Sequence, residues 1–255
     1  MVRYARNKGI NVSFFTNGIL LDKNIAQQAV DSEISEIFCS LPAGTAKTFA
    51  KINTKQNEKV FHNILDNLKI LCQIKKKSKN KPRLIMTHVI HTLNAHELME
   101  MAKNDIEIGA DIMRFYLIRV DENIEFLKLT EKDLLKIKQS MVEVKKLAKG
   151  KDIQILDTTD FQLENFEVET GSWSKNVFLE KGCTLGWNFC LIPASGEVSF
   201  CCHLRTVGYL NKNSFKEIWD SKDYSRFRYQ AKFLSENSKK KFLNGTLLFD
   251  DYCQH

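Results

Sequence analysis

The feature that most constrains the fold is a regular alternation of short apolar runs with longer amphipathic stretches over the first 157 residues. The apolar runs are typical of buried strands in parallel sheets, and the stretches between them repeat apolar residues at helical spacing. The predicted strands are residues 11–15, 36–41, 83–91, 111–118 and 153–156. The alternation predicts an α/β fold in which right-handed crossovers join parallel strands. These strands are too few to close an eight-stranded barrel, so we expect an incomplete (β/α) parallel barrel.

The chain changes character after about residue 160. Residues 161–181 lose the periodicity and are predicted to be a linker, whereas residues 182–255 are rich in cysteines, aromatic residues and turns. We therefore expect a partial barrel at 1–160 and a small cysteine-rich domain at 182–255. Of the seven cysteines, Cys39 and Cys72 stand alone, and we expect them to pack as small hydrophobic residues.

The charge and the hydropathy of the sequence indicate which kinds of binding partner to expect, nucleic acid or membrane. The net charge is +7 and is spread along the chain, which is typical of a solvated surface, so nucleic acid binding is not expected. No apolar run approaches the roughly 18 residues that a membrane helix needs, and the N-terminus lacks the apolar segment of an export signal. We expect a cytoplasmic protein with reduced thiols and no membrane partner.

The late cysteines have a spacing that predicts a metal centre. Twelve residues separate Cys183 from Gly196, and four separate Gly196 from Cys201, with a predicted hairpin around Gly196. The hairpin favours Cys183 and Cys201 as ligands of one centre. No C-x2–4-C pair of the kind that zinc sites use is present, which favours an iron–sulfur cluster without excluding zinc.

The remaining ligands are less constrained by the spacing. Cys202 follows Cys201 directly, so on a strand its side chain would face the other way, and this favours Cys190 over Cys202 for one position. His203, next to this pair, is a substitute ligand.

The stretch from Cys183 to Trp219 resembles the SPASM domain of radical S-adenosylmethionine (SAM) enzymes. The family pattern C-x9–15-G-x4-C is matched by Cys183, Gly196 and Cys201, and Gly208-Tyr209-Leu210 with Glu217-Ile218-Trp219 resembles the segment that follows it. Cys253 stands where the second half of the cysteine pattern begins. The resemblance implies an auxiliary [4Fe–4S] cluster with Cys253 as a third ligand.

The front portion resembles the later part of a radical SAM barrel. Thr16-Asn17-Gly18 matches the T-N-G at the end of the third barrel strand, and Ser40-Leu41 matches the S-L-D of the fourth, with Pro42 in place of the aspartate. The resemblance implies that Thr16, Asn17 and Ser40 bind SAM. An ordinary turn at residues 16–18 is the alternative.

Two further barrel positions have competing interpretations. Asn94 and Glu97 resemble a family N-x-x-E motif, but their spacing favours a helix capping box. Arg114, on a predicted strand, is either a partner for a ligand carboxylate or a surface residue.

The sequence also departs from the family. It has no C-x3-C-x2-C motif for the catalytic cluster, and the first two βα units and the last cysteines of the family pattern are missing. We interpret the chain as a fragment truncated at both ends or as a degenerate relative.

The resemblance implies a full-length enzyme that cleaves SAM to a 5′-deoxyadenosyl radical and modifies a peptide, a protein or another substrate, with ferredoxin or flavodoxin as electron donor. The alternatives are a degenerate peptide-binding module without radical chemistry and a structural protein held together by zinc.

Overall fold

A computed structural model describes residues 1–174, 176–250 and 253. The chain divides into two compact units, Met1–Glu164 and Asn165–His255. Within the described residues, no helix is both long and apolar enough to span a membrane.

The first unit is built on a five-stranded sheet in which every neighbouring pair is parallel. The strands are β1 (Ser13–Thr16), β2 (Glu36–Ser40), β3 (Arg83–Ile90), β4 (Ile112–Leu117) and β5 (Gln154–Asp157), in that spatial order. The helices are α1 (Val2–Asn7), α2 (Lys23–Asp31), α3 (Ala46–Ile52), α4 (Glu58–Lys77), α5 (Leu98–Ile108), α6 (Glu131–Ala148) and α7 (Thr159–Asn165), with a short 3-10 helix at Glu125–Leu127. The predicted α/β fold with a parallel sheet is confirmed.

Helices cover one face of this sheet. Side chains alternate across a strand, and Ile37 and Cys39 of β2 pack with Leu84 and Met86 of β3 in one buried cluster. The apolar stripe of α4, including Leu68, completes the cluster. Cys39 and Cys72 both lie in this core, as predicted, and burial raises the pKa of the Cys39 thiol to about 12.

The capping box expected at Asn94 and Glu97 is wrong. Helix α5 begins at Leu98, and Glu97 occupies its N-cap position without a side-chain capping bond. The Glu97 carboxylate instead reaches the start of α3, where it accepts hydrogen bonds from Gly44 N at 2.9 Å and from the hydroxyls of Thr45 and Thr48 at 2.7 and 2.6 Å. A negative charge at a helix N-terminus satisfies free N–H groups and the helix dipole. Glu97 therefore ties the end of β2 to the segment that follows β3.

We expect Glu97→Gln to lower the free energy of unfolding by about 2–3 kcal/mol, because buried donors would lose a charged acceptor. Urea denaturation followed by circular dichroism measures this change. Glu100→Gln is the control, because the Glu100 side chain is 44% exposed and its ion pair with Lys103 is long, at 3.9 Å. Equal midpoints for the two variants would contradict the assigned role of Glu97.

The second unit combines short helices with an antiparallel pair of strands. Its elements are α8 (Val177–Lys181), α9 (Leu185–Asn188), β6 (Glu197–Ser199), β7 (Thr206–Tyr209), α10 (Phe215–Trp219), α11 (Lys222–Lys232) and α12 (Leu234–Asn237). Aromatic side chains form the centre of its core: Phe227 stacks on Phe242 with ring centroids 4.2 Å apart, and Phe200 packs against Tyr224. The stretch 161–181, predicted to be a linker, contains most of α7 and all of α8.

Candidate metal centre

Three of the predicted cysteine ligands line one cavity in the second unit. The cavity measures about 320 Å³, and Cys183, Cys201 and Cys253 all contribute to its wall. Cys202, His203 and Arg205 also line it. The structure therefore brings together thiols that are 70 residues apart in the sequence, from Cys183 to Cys253.

Cys183 is positioned by helix α11 rather than by the hairpin. Its backbone N–H donates to Ala231 O at 2.8 Å. The preceding Gly182 has a φ of +77°, and a Cβ at this position would lie 2.2 Å from Lys232 O. Only glycine allows the two backbones to approach this closely. The close approach fixes Cys183 at the cavity wall.

Cys201 is positioned by the predicted hairpin, which the structure contains. Leu191 and Ser199 exchange both backbone hydrogen bonds of an antiparallel bridge, at 3.0 and 2.8 Å. Gly196 turns the chain with a φ of +81°. The strand after the turn leads through Phe200 to Cys201, which is 5% exposed. Phe200 anchors this end because its ring packs directly against Gly186 of α9.

Cys253 is held at the cavity by the buried guanidinium of Arg205. Arg205 Nη2 donates to Cys253 Sγ at 3.1 Å, and Arg205 Nη1 donates to Cys201 Sγ at 3.2 Å. One arginine thus contacts two of the three thiols. Ser174 adds a second tie, because its hydroxyl donates to Cys253 O at 3.3 Å.

Of the two cysteines considered for the fourth ligand position, only one lines the cavity in the described part of the chain. Cys190 packs against the core of the second unit and does not line the cavity, whereas Cys202 does. The strand argument against Cys202 does not apply, because β6 ends at Ser199 and Cys202 lies in the following turn. A turn has no strict alternation of side chains, so neighbouring cysteines can face the same cavity.

Two of the cavity thiols are harder to ionise than a thiol in water. Burial raises the pKa of both Cys183 and Cys253. A metal must therefore displace protons when it binds here. Among the described residues, no three His, Cys, Asp or Glu side chains are close enough to hold a single metal ion.

The residues predicted to bind SAM lie at one edge of the sheet in the first unit. Thr16 is the last residue of β1, Asn17 follows it, and Ser40 is the last residue of β2. Thr16 Oγ1 accepts from Gly18 N at 3.0 Å, and Asn17 Oδ1 accepts from Ile19 N at 3.2 Å. These two side chains therefore stabilise a turn. Ser40 is exposed at the carboxyl edge, where α/β sheets bind ligands.

A polar row crosses the sheet face that is opposite the helix-packed core. Ser40 pairs in register with Thr87, and Thr87 with Arg114. Thr87 Oγ1 and Arg114 Nε are buried and have no hydrogen-bond partner among the described residues. The Arg114 guanidinium lies 5.1 Å from the ring of Tyr116 on the same face. The row gives this face buried donors that a polar ligand can satisfy.

Sequence reasoning missed the buried His88–Asp105 pair and the buried Arg205. His88 Nε2 lies 2.8 Å from Asp105 Oδ2, and both side chains are almost fully buried. A signal for this pair exists, since Asp105 interrupts the apolar stripe of α5. Arg205 was also missed, because nothing in its local sequence marks it except its nearness to Cys201 and Cys202.

The comparisons with known proteins support the predicted resemblance to radical SAM/SPASM proteins. Residues 183–242 match the family model of the SPASM iron–sulfur cluster-binding domain.

Two curated relatives extend the similarity over more of the chain. The chain is 22% identical over 236 residues to an AdoMet-dependent heme synthase of Methanosarcina barkeri, which covers 89% of this chain and 65% of that protein. It is 27% identical over 133 residues to an uncharacterized protein of Methanocaldococcus jannaschii, which covers 52% of this chain and 43% of that protein. The chain thus spans less than two thirds of either relative.

Solved structures share the fold. Streptococcus suis SuiB bound to S-adenosylmethionine superposes with a TM-score of 0.62 at 13% identity, covering 89% of this chain and 52% of SuiB. The enzyme anSMEcpe with bound AdoMet gives a TM-score of 0.58 at 15% identity, covering 89% of this chain and 59% of anSMEcpe.

We expect Gly182→Ala to destabilise the second unit more than Gly245→Ala. Both glycines have a positive φ, but only Gly182 faces a backbone atom, whereas nothing lies within 4 Å of a Cβ at Gly245. The excess loss should be about 1–3 kcal/mol, the usual cost of overpacking. Urea denaturation followed by tryptophan fluorescence measures it, because all the tryptophans lie between Trp173 and Trp219. Equal losses would show that the close approach to Lys232 is not needed.

Proposed function

We propose that the second unit binds a [4Fe–4S] cluster through Cys183, Cys201 and Cys253. The observation that carries the proposal is that these three thiols line one cavity with a buried arginine beside two of them. The donor set fits the group, because iron–sulfur clusters take cysteine thiolates. Each cysteine of such a cluster binds its own iron, so the ligands need not converge as closely as around one ion.

Cys202 is the fourth thiol that lines the cavity and is our candidate for the fourth position, with His203 as the substitute ligand. Cys190, which the spacing favoured, does not line the cavity. We therefore place Cys202 ahead of Cys190.

We further propose that the full protein is a SAM-dependent radical enzyme whose substrate is a peptide or protein. The matched SPASM domain, the AdoMet-dependent heme synthase and the AdoMet-bound neighbours support the use of SAM. SuiB bound to its precursor peptide SuiA supports a peptide as substrate. A catalytic cluster reduced by ferredoxin or flavodoxin would supply the electron that cleaves SAM.

Within this chain, the open sheet face would bind the ligand. Ser40 would donate a hydrogen bond to SAM at the carboxyl edge of β2, with the turn at Thr16 and Asn17 forming the adjacent rim. Thr87 and Arg114 would offer their unpartnered donors to a polar or carboxylate group of a ligand on the same face. The apolar side chains of this face, including the stacked pair of Phe15 and Phe38, would exclude water.

The ligand assignment is tested by anaerobic reconstitution of the 255-residue chain with iron and sulfide. We expect the wild type to take up about four iron and four sulfide ions with the visible absorption of a [4Fe–4S] cluster. Cys183→Ala, Cys201→Ala and Cys253→Ala should each lower iron uptake, and Cys202→Ala should weaken iron retention. The matched control is Cys190→Ala, which removes a thiol of the same unit that does not line the cavity. Wild-type iron content in the first two variants would contradict the assignment, and one bound zinc without iron would favour the zinc-held structural protein.

We expect the 255-residue chain alone not to cleave SAM. Its sequence contains no C-x3-C-x2-C, and the SAM-binding iron needs three thiolates with one open position. The assay is 5′-deoxyadenosine production by the reconstituted chain with dithionite, and turnover above the protein-free background would refute the expectation. An in-frame C-x3-C-x2-C in the genomic DNA upstream of codon 1 would support an enzyme in full-length form over a non-catalytic peptide-binding module.

A further inference from the structure

Arg205 is among the largest fully buried side chains of the described residues, with 2% of its surface exposed. It immediately precedes β7, and its backbone carbonyl accepts from Phe200 N at 2.8 Å. A buried guanidinium costs several kcal/mol unless its charge and its N–H groups are satisfied. The position of Arg205 is therefore explained by its partners.

Those partners come from two segments on either side of the cavity. Arg205 Nε donates to Leu247 O at 2.7 Å, and Nη2 lies 2.9 Å from Asp250 Oδ1. The other contacts are the sulfurs of Cys201 and Cys253, at 3.2 and 3.1 Å. Arg205 thus links the Cys201 turn to the C-terminal segment that carries Cys253.

The two sulfur contacts have a chemical meaning that the carboxylate contact lacks. A neutral thiol is a weak acceptor, whereas a thiolate is a strong one, and the thiolate is the form that binds metal. A fixed cation with one N–H aimed at each sulfur matches a site in which both cysteines are ionised. Asp250 alone would have satisfied the charge of Arg205 without any contact to sulfur.

We propose that Arg205 is a positioning residue that holds Cys201 and Cys253 on the cluster and raises the reduction potential of that cluster. The inference rests on the proposed cluster in this cavity. Hydrogen bonds to ligating sulfurs and a nearby positive charge stabilise the reduced, more negative state of an iron–sulfur cluster. The same bonds keep the C-terminal cysteine next to the Cys201 turn.

The test compares Arg205→Gln and Arg205→Lys with wild type after anaerobic reconstitution of the full chain. The primary readout is the midpoint potential from a dye-mediated redox titration followed by visible absorption and electron paramagnetic resonance. Arg205→Gln removes the charge, so its potential should shift to more negative values. Arg205→Lys keeps the charge but cannot contact both sulfurs in the same way, so its shift should be smaller.

A second readout keeps the test decisive if the potential is hard to measure in a variant. Competition with an iron chelator should show about 10- to 100-fold weaker iron binding in Arg205→Gln, the usual cost of losing an outer-shell partner. The control is Arg228→Gln in the same unit. Arg228 donates to Gly186 O and Trp219 O and stacks on Tyr224, and its described contacts include no cysteine.

The outcomes separate the two proposals. A wild-type chain that binds no iron would refute the cluster, and this inference with it. A wild type with a cluster, and an Arg205→Gln variant with the same potential and the same iron retention, would overturn only the role of Arg205. Equal shifts in Arg205→Gln and Arg228→Gln would assign both to general destabilisation of the unit, which also overturns it.

Discussion

The second unit depends on one buried positive charge. Arg205 is inside a small domain whose core is mostly apolar. Its charge and its N–H groups can be satisfied only if Leu247, Asp250 and two cysteines come to it. Because an unpaired buried charge is so costly, this requirement selects against packings that leave the C-terminal segment free. The arginine thereby fixes where Cys253 lies, although that cysteine is 48 residues further along the chain.

Close backbone approaches position Cys183, which Arg205 does not contact, and also support the Cys201 side of the cavity. Gly182 brings the segment before Cys183 against the end of α11, and Gly186 lets the ring of Phe200 lie directly on α9. Both contacts would be blocked by a Cβ, so two glycines and one aromatic ring set the spacing between the Cys183 and Cys201 sides of the cavity. The cavity wall at these two points is built from backbone and ring contacts and does not depend on exposed side chains.

The sequence was informative where periodicity or turn chemistry decides structure. Alternating strands and helices predicted the parallel sheet, and Gly196 between two apolar runs predicted the hairpin that leads to Cys201. It was misleading where a side chain acts across elements. Glu97 has the spacing of a local helix cap, but its carboxylate accepts a hydrogen bond from Thr48 of α3, which is 49 residues away in the sequence. This tertiary contact satisfies more donors than a local cap could. Cys202 was judged by strand alternation, yet β6 ends before it. No local pattern reveals the partners of Arg205, and Asp105 in the apolar stripe of α5 is the one signal for its pair with His88.

Buried polar groups lie on both sheet faces of the first unit. On the helix-covered face, His88 has a partner on each ring nitrogen, Leu41 O and Asp105 Oδ2, while Asp105 Oδ1 has none among the described residues. On the other face, Thr87 and Arg114 keep buried polar atoms without a partner among the described residues. A buried donor without a hydrogen-bond partner costs free energy, and proteins tolerate this cost mainly where a bound water or ligand completes the bond. The unmet bonds lie on two neighbouring strands, at Thr87 and Arg114, in register with the exposed Ser40 of the next strand. A ligand on this face would form hydrogen bonds with Thr87 and Arg114 and so remove the cost of leaving them without a partner. Since helices cover the other face, this supports the uncovered face as the binding surface.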